Sequence, residues 1–174
     1  SEPSLNGPSW VKLKSLYSGI CGSDQNMLRG HESFSMEPYA SFPCCMGHEN
    51  VSQVVEIGKG VSKVKVGDVV IVNPVMGCKV HERIPSCSHC GQDMDALCDH
   101  FGDGDLLGAG MTLGYHSATG GGWSEYYQAH QWQLYKVHPG VSLERAVLAD
   151  PFTSAMEPIA SYACLLYTSP SPRD

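Results

Sequence analysis

The sequence predicts a mostly β protein with few helices and one irregular lobe. Three observations lead there. Short apolar runs alternate with polar residues at the period of a half-buried strand, and 19 Gly and 11 Pro among 174 residues divide them by turns. Helical periodicity is confined to one short stretch near residue 145. Between about 76 and 118 neither period holds, and Cys, Asp and Gly dominate.

Taken in order, Trp10-Val-Lys-Leu-Lys-Ser-Leu16 alternates apolar with polar and predicts a half-buried strand. Val51-Ser-Gln-Val-Val-Glu-Ile-Gly58 predicts a second, turned by Gly58-Lys-Gly60. Val66-Gly-Asp-Val-Val-Ile-Val72 predicts a third, entered through Gly67-Asp68. Strand chemistry returns in Gly121-Gly-Trp123-Ser-Glu-Tyr-Tyr127 and in Gln133-Leu-Tyr-Lys-Val137. Pro139-Gly140 is a turn. Leu143-Glu-Arg-Ala-Val-Leu-Ala149 predicts a short helix with Ser142 as its N-cap.

The irregular lobe carries the most specific motif. Cys87-Ser-His-Cys90 is a C-x2-C knuckle, and Cys98 follows eight residues later. A knuckle of this length turns both sulfurs toward one tetrahedral centre, and Cys78 is the natural fourth ligand. Four thiolates with no open position describe a structural zinc site. A lobe so poor in apolar residues needs such a staple. His81 and His89 compete with Cys78 for the fourth place. Free or disulfide-bonded cysteines are the plainer alternative.

Bulk properties exclude several classes. A net charge of -7 with 11 scattered Lys and Arg opposes a nucleic-acid surface. No apolar run reaches the ~18–20 residues of a membrane helix. Thiol-rich knuckles without a visible signal peptide suggest a cytoplasmic setting. Gly102-Asp-Gly104-Asp-Leu-Leu-Gly108 mimics a phosphate loop, but its spacing and flanks fail the dinucleotide context. Asn50-Val-Ser52 matches a glycosylation acceptor by chance.

A second constellation comprises Gly19-Ile-Cys21-Gly-Ser23-Asp24 and Gly47-His48-Glu49. Together with the cysteine lobe, Val66-Gly-Asp-Val-Val, Thr119-Gly-Gly-Gly-Trp123-Ser and Ala149-Asp150-Pro151-Phe152, it resembles the zinc-dependent medium-chain alcohol dehydrogenases. The likeness runs from about Pro3 to Ala163. It implies a GroES-like β-barrel catalytic domain with two zinc ions per chain. The resemblance assigns a catalytic zinc to Cys21 and His48, with Glu49 and Asp150 as the carboxylates used in the polyol and threonine branches. Ser23 would accept the alcohol proton, and Asp24 would hold the His48 ring. An alcohol or polyol would then be oxidised to a carbonyl through an alkoxide held on zinc, with NAD or NADP taking the hydride.

This chain departs from the family twice. Gln25-Asn26 stand where many relatives continue the proton relay with a His, so the outer relay would run through water, the cofactor ribose or His31. Ile84 stands where the first lobe cysteine usually lies, so Cys78 must reach across a longer loop.

The expected organisation is a catalytic domain over 1–150, a link over 151–163 toward a nucleotide-binding domain, and a tail over 164–174. The tail, Cys164-Leu-Leu-Tyr-Thr-Ser-Pro-Ser-Pro-Arg-Asp174, reads as a translated sequencing adapter, so Cys164 is expected to be no ligand. The expected partners are a small-molecule alcohol and, as in relatives, further copies of the chain, with no nucleic acid and no membrane. Two alternatives remain: a non-catalytic zinc-stabilised β-module, and a zinc-free quinone reductase-like relative, which the Cys21–His48 pair and the four lobe cysteines oppose.

Overall fold

A computed structural model describes residues 4–31, 38–103 and 106–168, and of 160–168 the backbone only. The fold is dominated by one antiparallel sheet. Its strands are β1 (Trp10–Ser18), β2 (Asn50–Ile57), β3 (Val69–Val72), β4 (Tyr126–His130) and β5 (Leu134–Lys136). Their spatial order is β4-β1-β2-β3-β5. The helices are α1 (Gly22–Leu28), α2 (Leu143–Ala146) and α3 (Ala149–Thr168).

The central pair β1–β2 shows why these residues make a sheet. Leu13 opposes Val54 and Val11 opposes Ile57, and two register shifts, after Lys12 and after Ser15, bend the pairing. Trp10, Val11 and Leu13 are fully buried with Val54, Val70, Tyr127, Ala129 and Leu134 in the main core. Lys12 is also buried and reaches Glu56 at 2.6 Å. The far end of β1 leaves Leu16 and Tyr17 exposed, so the alternation read from the sequence describes only part of the strand.

Three expectations shift. The third strand starts at Val69 because Gly67, at φ +92°, makes a turn before it. Only Tyr126 and Tyr127 of the predicted 121–127 strand lie in β4. Gly122 and Trp123 instead donate their amides to Gly47 O (2.9 Å) and Met46 O (3.0 Å), as a turn clamped onto another loop. The helix expected over 143–149 stops at Ala146, and α3 starts afresh at Ala149 with Pro158 inside it. Ser142 is the N-cap of α2 in backbone conformation, without a side-chain hydrogen bond.

The segment from 76 to 118 is irregular, with two single-turn 3-10 helices at Cys90–Gln92 and Asp95–Leu97. Of the phosphate-loop mimic, Gly104 and Asp105 lie outside the described residues. So do residues 169–174 and the Cys164 side chain. No helix among the described residues is long and apolar enough to cross a membrane.

Candidate metal centres

Cys78, Cys87, Cys90 and Cys98 are all buried, and their sulfurs all lie within 4.8 Å of one another. Cys78 and Cys98 approach most closely in the hydrogen-bond geometry, at 3.6 Å. Tetrahedral Zn–S bonds of about 2.3 Å would put sulfurs about 3.8 Å apart. Each sulfur also accepts a backbone N–H at 3.4 Å: Cys78 from Cys87, Cys87 from Cys90, Cys90 from Cys78 and Cys98 from His100. Amides aimed at sulfur favour the thiolate.

Left to themselves, four sulfurs in one pocket cannot all carry charge. Backbone N–H groups of Cys90 and Asp99 pull Cys87 down to about 6, whereas burial pushes Cys78 and Cys90 up. A dication resolves that conflict, and the donor set fits zinc. The sulfurs come together despite the long loop from Cys78, which turns over Val80 and His81 onto Gly77 O and returns through Arg83 N–H to Cys78 O. His81 faces Gly110 O at 3.2 Å, and His89 pairs with Asp99 at 3.0 Å. His89, Asp99 and Cys87 form a further close group at the exposed rim.

The second cluster is built from loops at the ends of β1 and β2. Gly19 N–H continues the β1–β2 ladder onto Glu49 O at 2.9 Å, which brings Cys21 beside Glu49. A Cβ at Gly19 would run into the Glu49 carboxylate and push it from its place beside Cys21. Gly47 sits at φ +98° with Trp123 packed against it, and Gly114 backs onto its carbonyl. These contacts present His48 and Glu49 to Cys21. The ligand atoms of Cys21, His48 and Glu49 lie within 4.8 Å of one another.

Cys21 precedes α1 as its N-cap, and Asp24 reaches back to accept the Cys21 N–H at 2.8 Å. Ser23 donates to Cys21 Sγ at 3.3 Å. Asp24 is fully buried, and its Oδ1 stands 3.4 Å from His48 Nδ1. That approach does not amount to a hydrogen bond, and His48 Nδ1 is buried without one. Burial pushes Glu49 above its ordinary carboxylate range, and the charges of Asp150 and Asp24 add to this against His48. Asp150 is likewise raised by burial. Acidic groups crowded around His48 in this way make a donor set suited to a divalent cation.

Asp150 lies in the first turn of α3 and outside the close group, though its charge is felt at Glu49. It lines a cleft of 310 Å³ between the sheet and the α2–α3 segment, with Asn50, Val72, Asn73 and Thr153. His31 is exposed just beyond α1. Sequence reasoning missed Tyr115. Its hydroxyl donates to Asp24 Oδ1 at 2.6 Å, lies 3.2 Å from Ser23 Oγ, and its ring is 5.2 Å from that of His48. A contact across 91 residues leaves no local signal.

Comparison with known proteins adds a relationship. The sequence profile of the alcohol dehydrogenase GroES-like domain matches residues 7–139. The chain is 32% identical over 160 residues to (R,R)-butanediol dehydrogenase of Bacillus subtilis, covering 88% of this chain and 40% of that protein. Among solved structures, it superposes on the rspB alcohol dehydrogenase of Escherichia coli CFT073, complexed with NADH, with a TM-score of 0.66. The identity there is 30%, over 87% of this chain and 37% of that one. A cinnamyl alcohol dehydrogenase of Sorghum bicolor gives a TM-score of 0.71 at 26% identity, over 94% and 43%. The chain thus spans well under half the length of the relatives it matches.

Proposed function

Because the chain belongs to the medium-chain alcohol dehydrogenase family through its GroES-like domain, we propose that it supplies the zinc-holding, alcohol-binding part of an NAD(P)-dependent oxidoreductase. The substrate would be an alcohol or polyol, oxidised to a carbonyl. The observation that carries this reading is the contrast between two donor clusters. Four buried sulfurs form one closed group, while Cys21 and Glu49, only partly buried, join His48 in another. A closed all-sulfur set suits a structural ion, and a mixed sulfur, nitrogen and oxygen set with access suits a catalytic one.

In this reading Cys78, Cys87, Cys90 and Cys98 hold the structural zinc. Cys21, His48 and Glu49 hold the catalytic zinc, with Asp150 as the nearby carboxylate at the cleft. Zinc, when bound, supplies a Lewis acid that makes a neighbouring hydroxyl easier to deprotonate. The chain's own residues do the rest. Ser23 Oγ, beside Cys21, would receive the proton from the alcohol and pass its own hydroxyl proton on toward water. Asp24 keeps the His48 ring oriented.

The hydride acceptor would be NAD or NADP. Within the described residues every strand pairing is antiparallel, so no parallel strand–glycine loop–helix unit is present to hold it. Relatives of more than twice the length support a nucleotide site contributed by other segments.

Cobalt substitution tests the assignment. Cobalt in the Cys21 cluster should change its visible spectrum on addition of a diol or imidazole, and Cys21→Ser should abolish that response. A spectrum indifferent to both probes in the cobalt-loaded chain refutes an open, substrate-accessible site.

A further inference from the structure

We propose that Tyr115 is a positioning residue for the Cys21–His48–Glu49 metal site, acting through Asp24. This rests on the reading of that cluster as the catalytic metal site. Asp24 is the fully buried carboxylate nearest His48 Nδ1, at 3.4 Å, and that ring nitrogen has no hydrogen bond of its own. Whether the carboxylate meets the ring therefore depends on how it is turned. Two donors fix its plane, one at each oxygen: Cys21 N–H on Oδ2 at 2.8 Å and the Tyr115 hydroxyl on Oδ1 at 2.6 Å.

The phenol contact is the shorter, and it falls on the same oxygen that faces His48. Without it the carboxylate would pivot about the Cys21 amide. His48 Nδ1 would then lose its nearest carboxylate oxygen, the group placed to accept its N–H once the other ring nitrogen holds a metal. Tyr115 also disposes of Ser23. Its single proton goes to Asp24, so its oxygen, 3.2 Å from Ser23 Oγ, can only accept from Ser23. Ser23 thus has two alternative acceptors, Cys21 Sγ at 3.3 Å and the phenol oxygen. The phenol fixes where the Ser23 hydroxyl and the Asp24 carboxylate stand relative to both ligands.

Tyr115 is itself held by packing against Met27, Ala40 and Met46, so removing only its hydroxyl leaves an apolar seat for the ring. This allows a narrow test on the whole chain loaded with cobalt. Tyr115→Phe should weaken cobalt binding at the Cys21 cluster by about tenfold or more, with altered ligand-field bands. The four-cysteine site, in the same molecule, should keep its affinity and spectrum. Tyr127→Phe removes another buried hydroxyl, one bonded to Ser52 at 2.7 Å, and should leave both cobalt sites unchanged.

Asp24→Asn leaves the Tyr115 ring in place and serves where Tyr115→Phe does not fold. It should weaken the same site, and the double variant should cost no more than Asp24→Asn alone. Unchanged affinity and spectrum in Tyr115→Phe, or in Asp24→Asn, overturn the proposal, as do additive losses in the double variant. If the unaltered chain takes up cobalt only at the four cysteines, the reading of the Cys21 cluster fails and the role of Tyr115 fails with it.

Discussion

Cys78 Sγ and Cys98 Sγ stand 3.6 Å apart across twenty residues of irregular chain. No strand or long helix connects them, so the lobe between owes its shape to turns and to whatever the sulfurs share. Replacing one of four ligands should therefore cost the lobe more than replacing a nearby His. We expect Cys78→Ser to lose metal from this site and to open residues 78–98 to hydrogen exchange. His89→Ala should retain the metal, because its ring is engaged with Asp99. Metal release into a chromogenic chelator, followed beside exchange, checks both.

Gly47→Ala should damage the second cluster from its foundation. At φ +98° a side chain is strained, and its Cβ would lie 2.5 Å from Trp123 Cδ1 and 2.9 Å from the Trp123 amide. We expect a loss of roughly 2–4 kcal/mol in folding stability, together with weaker metal binding at Cys21 and His48. Urea unfolding and metal titration of the same variant provide the measurement.

Much of this could be read before the structure. Apolar patterning located β1, β2, β3 and β5 because their apolar residues, among them Val11, Leu13, Val54, Val70, Val72 and Leu134, share one buried core, and it caught only the first two residues of β4. Motif spacing found the four sulfurs because ligand chemistry sets it locally. What was illegible depends on distance along the chain. Helix α1 left no periodic signal because Gly22-Ser-Asp-Gln-Asn contains no apolar residue to set one, and its start is stabilised by Asp24 folding back on Cys21. The Gly121–Trp123 turn looked like a strand because its partners, Met46 and Gly47, lie far off in sequence. Tyr115 had no motif at all.

Acid stability should carry the mark of His130. Burial first, and then the charge of Lys63, push its pKa down to about 4 despite Glu82 at 3.6 Å. In the unfolded chain a His titrates near ~6.5. Between those values the unfolded state binds a proton that the folded state refuses, so stability falls as pH drops from about 6.5 toward 4. His116, also lowered by burial, acts in the same direction. The His130 contribution is at most about 3 kcal/mol. His130→Gln should flatten the fall measured by denaturant unfolding across that window, and an unchanged pH slope would show that His130 does not carry it.

The two carboxylates near His48 should prove unequal. Glu49 is in the close group and Asp150 is not. Glu49→Gln should weaken metal binding at this site by about tenfold or more, with Asp150→Asn changing it less. Competition against a chelator of known affinity ranks them. Equal losses would make Asp150 a ligand of the same standing.

Two metal sites of different character in one chain should be countable as metal per folded molecule. Native mass spectrometry of the zinc-loaded chain should show two zinc ions. Cys90→Ser should lose one of them, and Cys21→Ser the other. A chain that holds a single zinc which Cys21→Ser leaves in place would contradict the account.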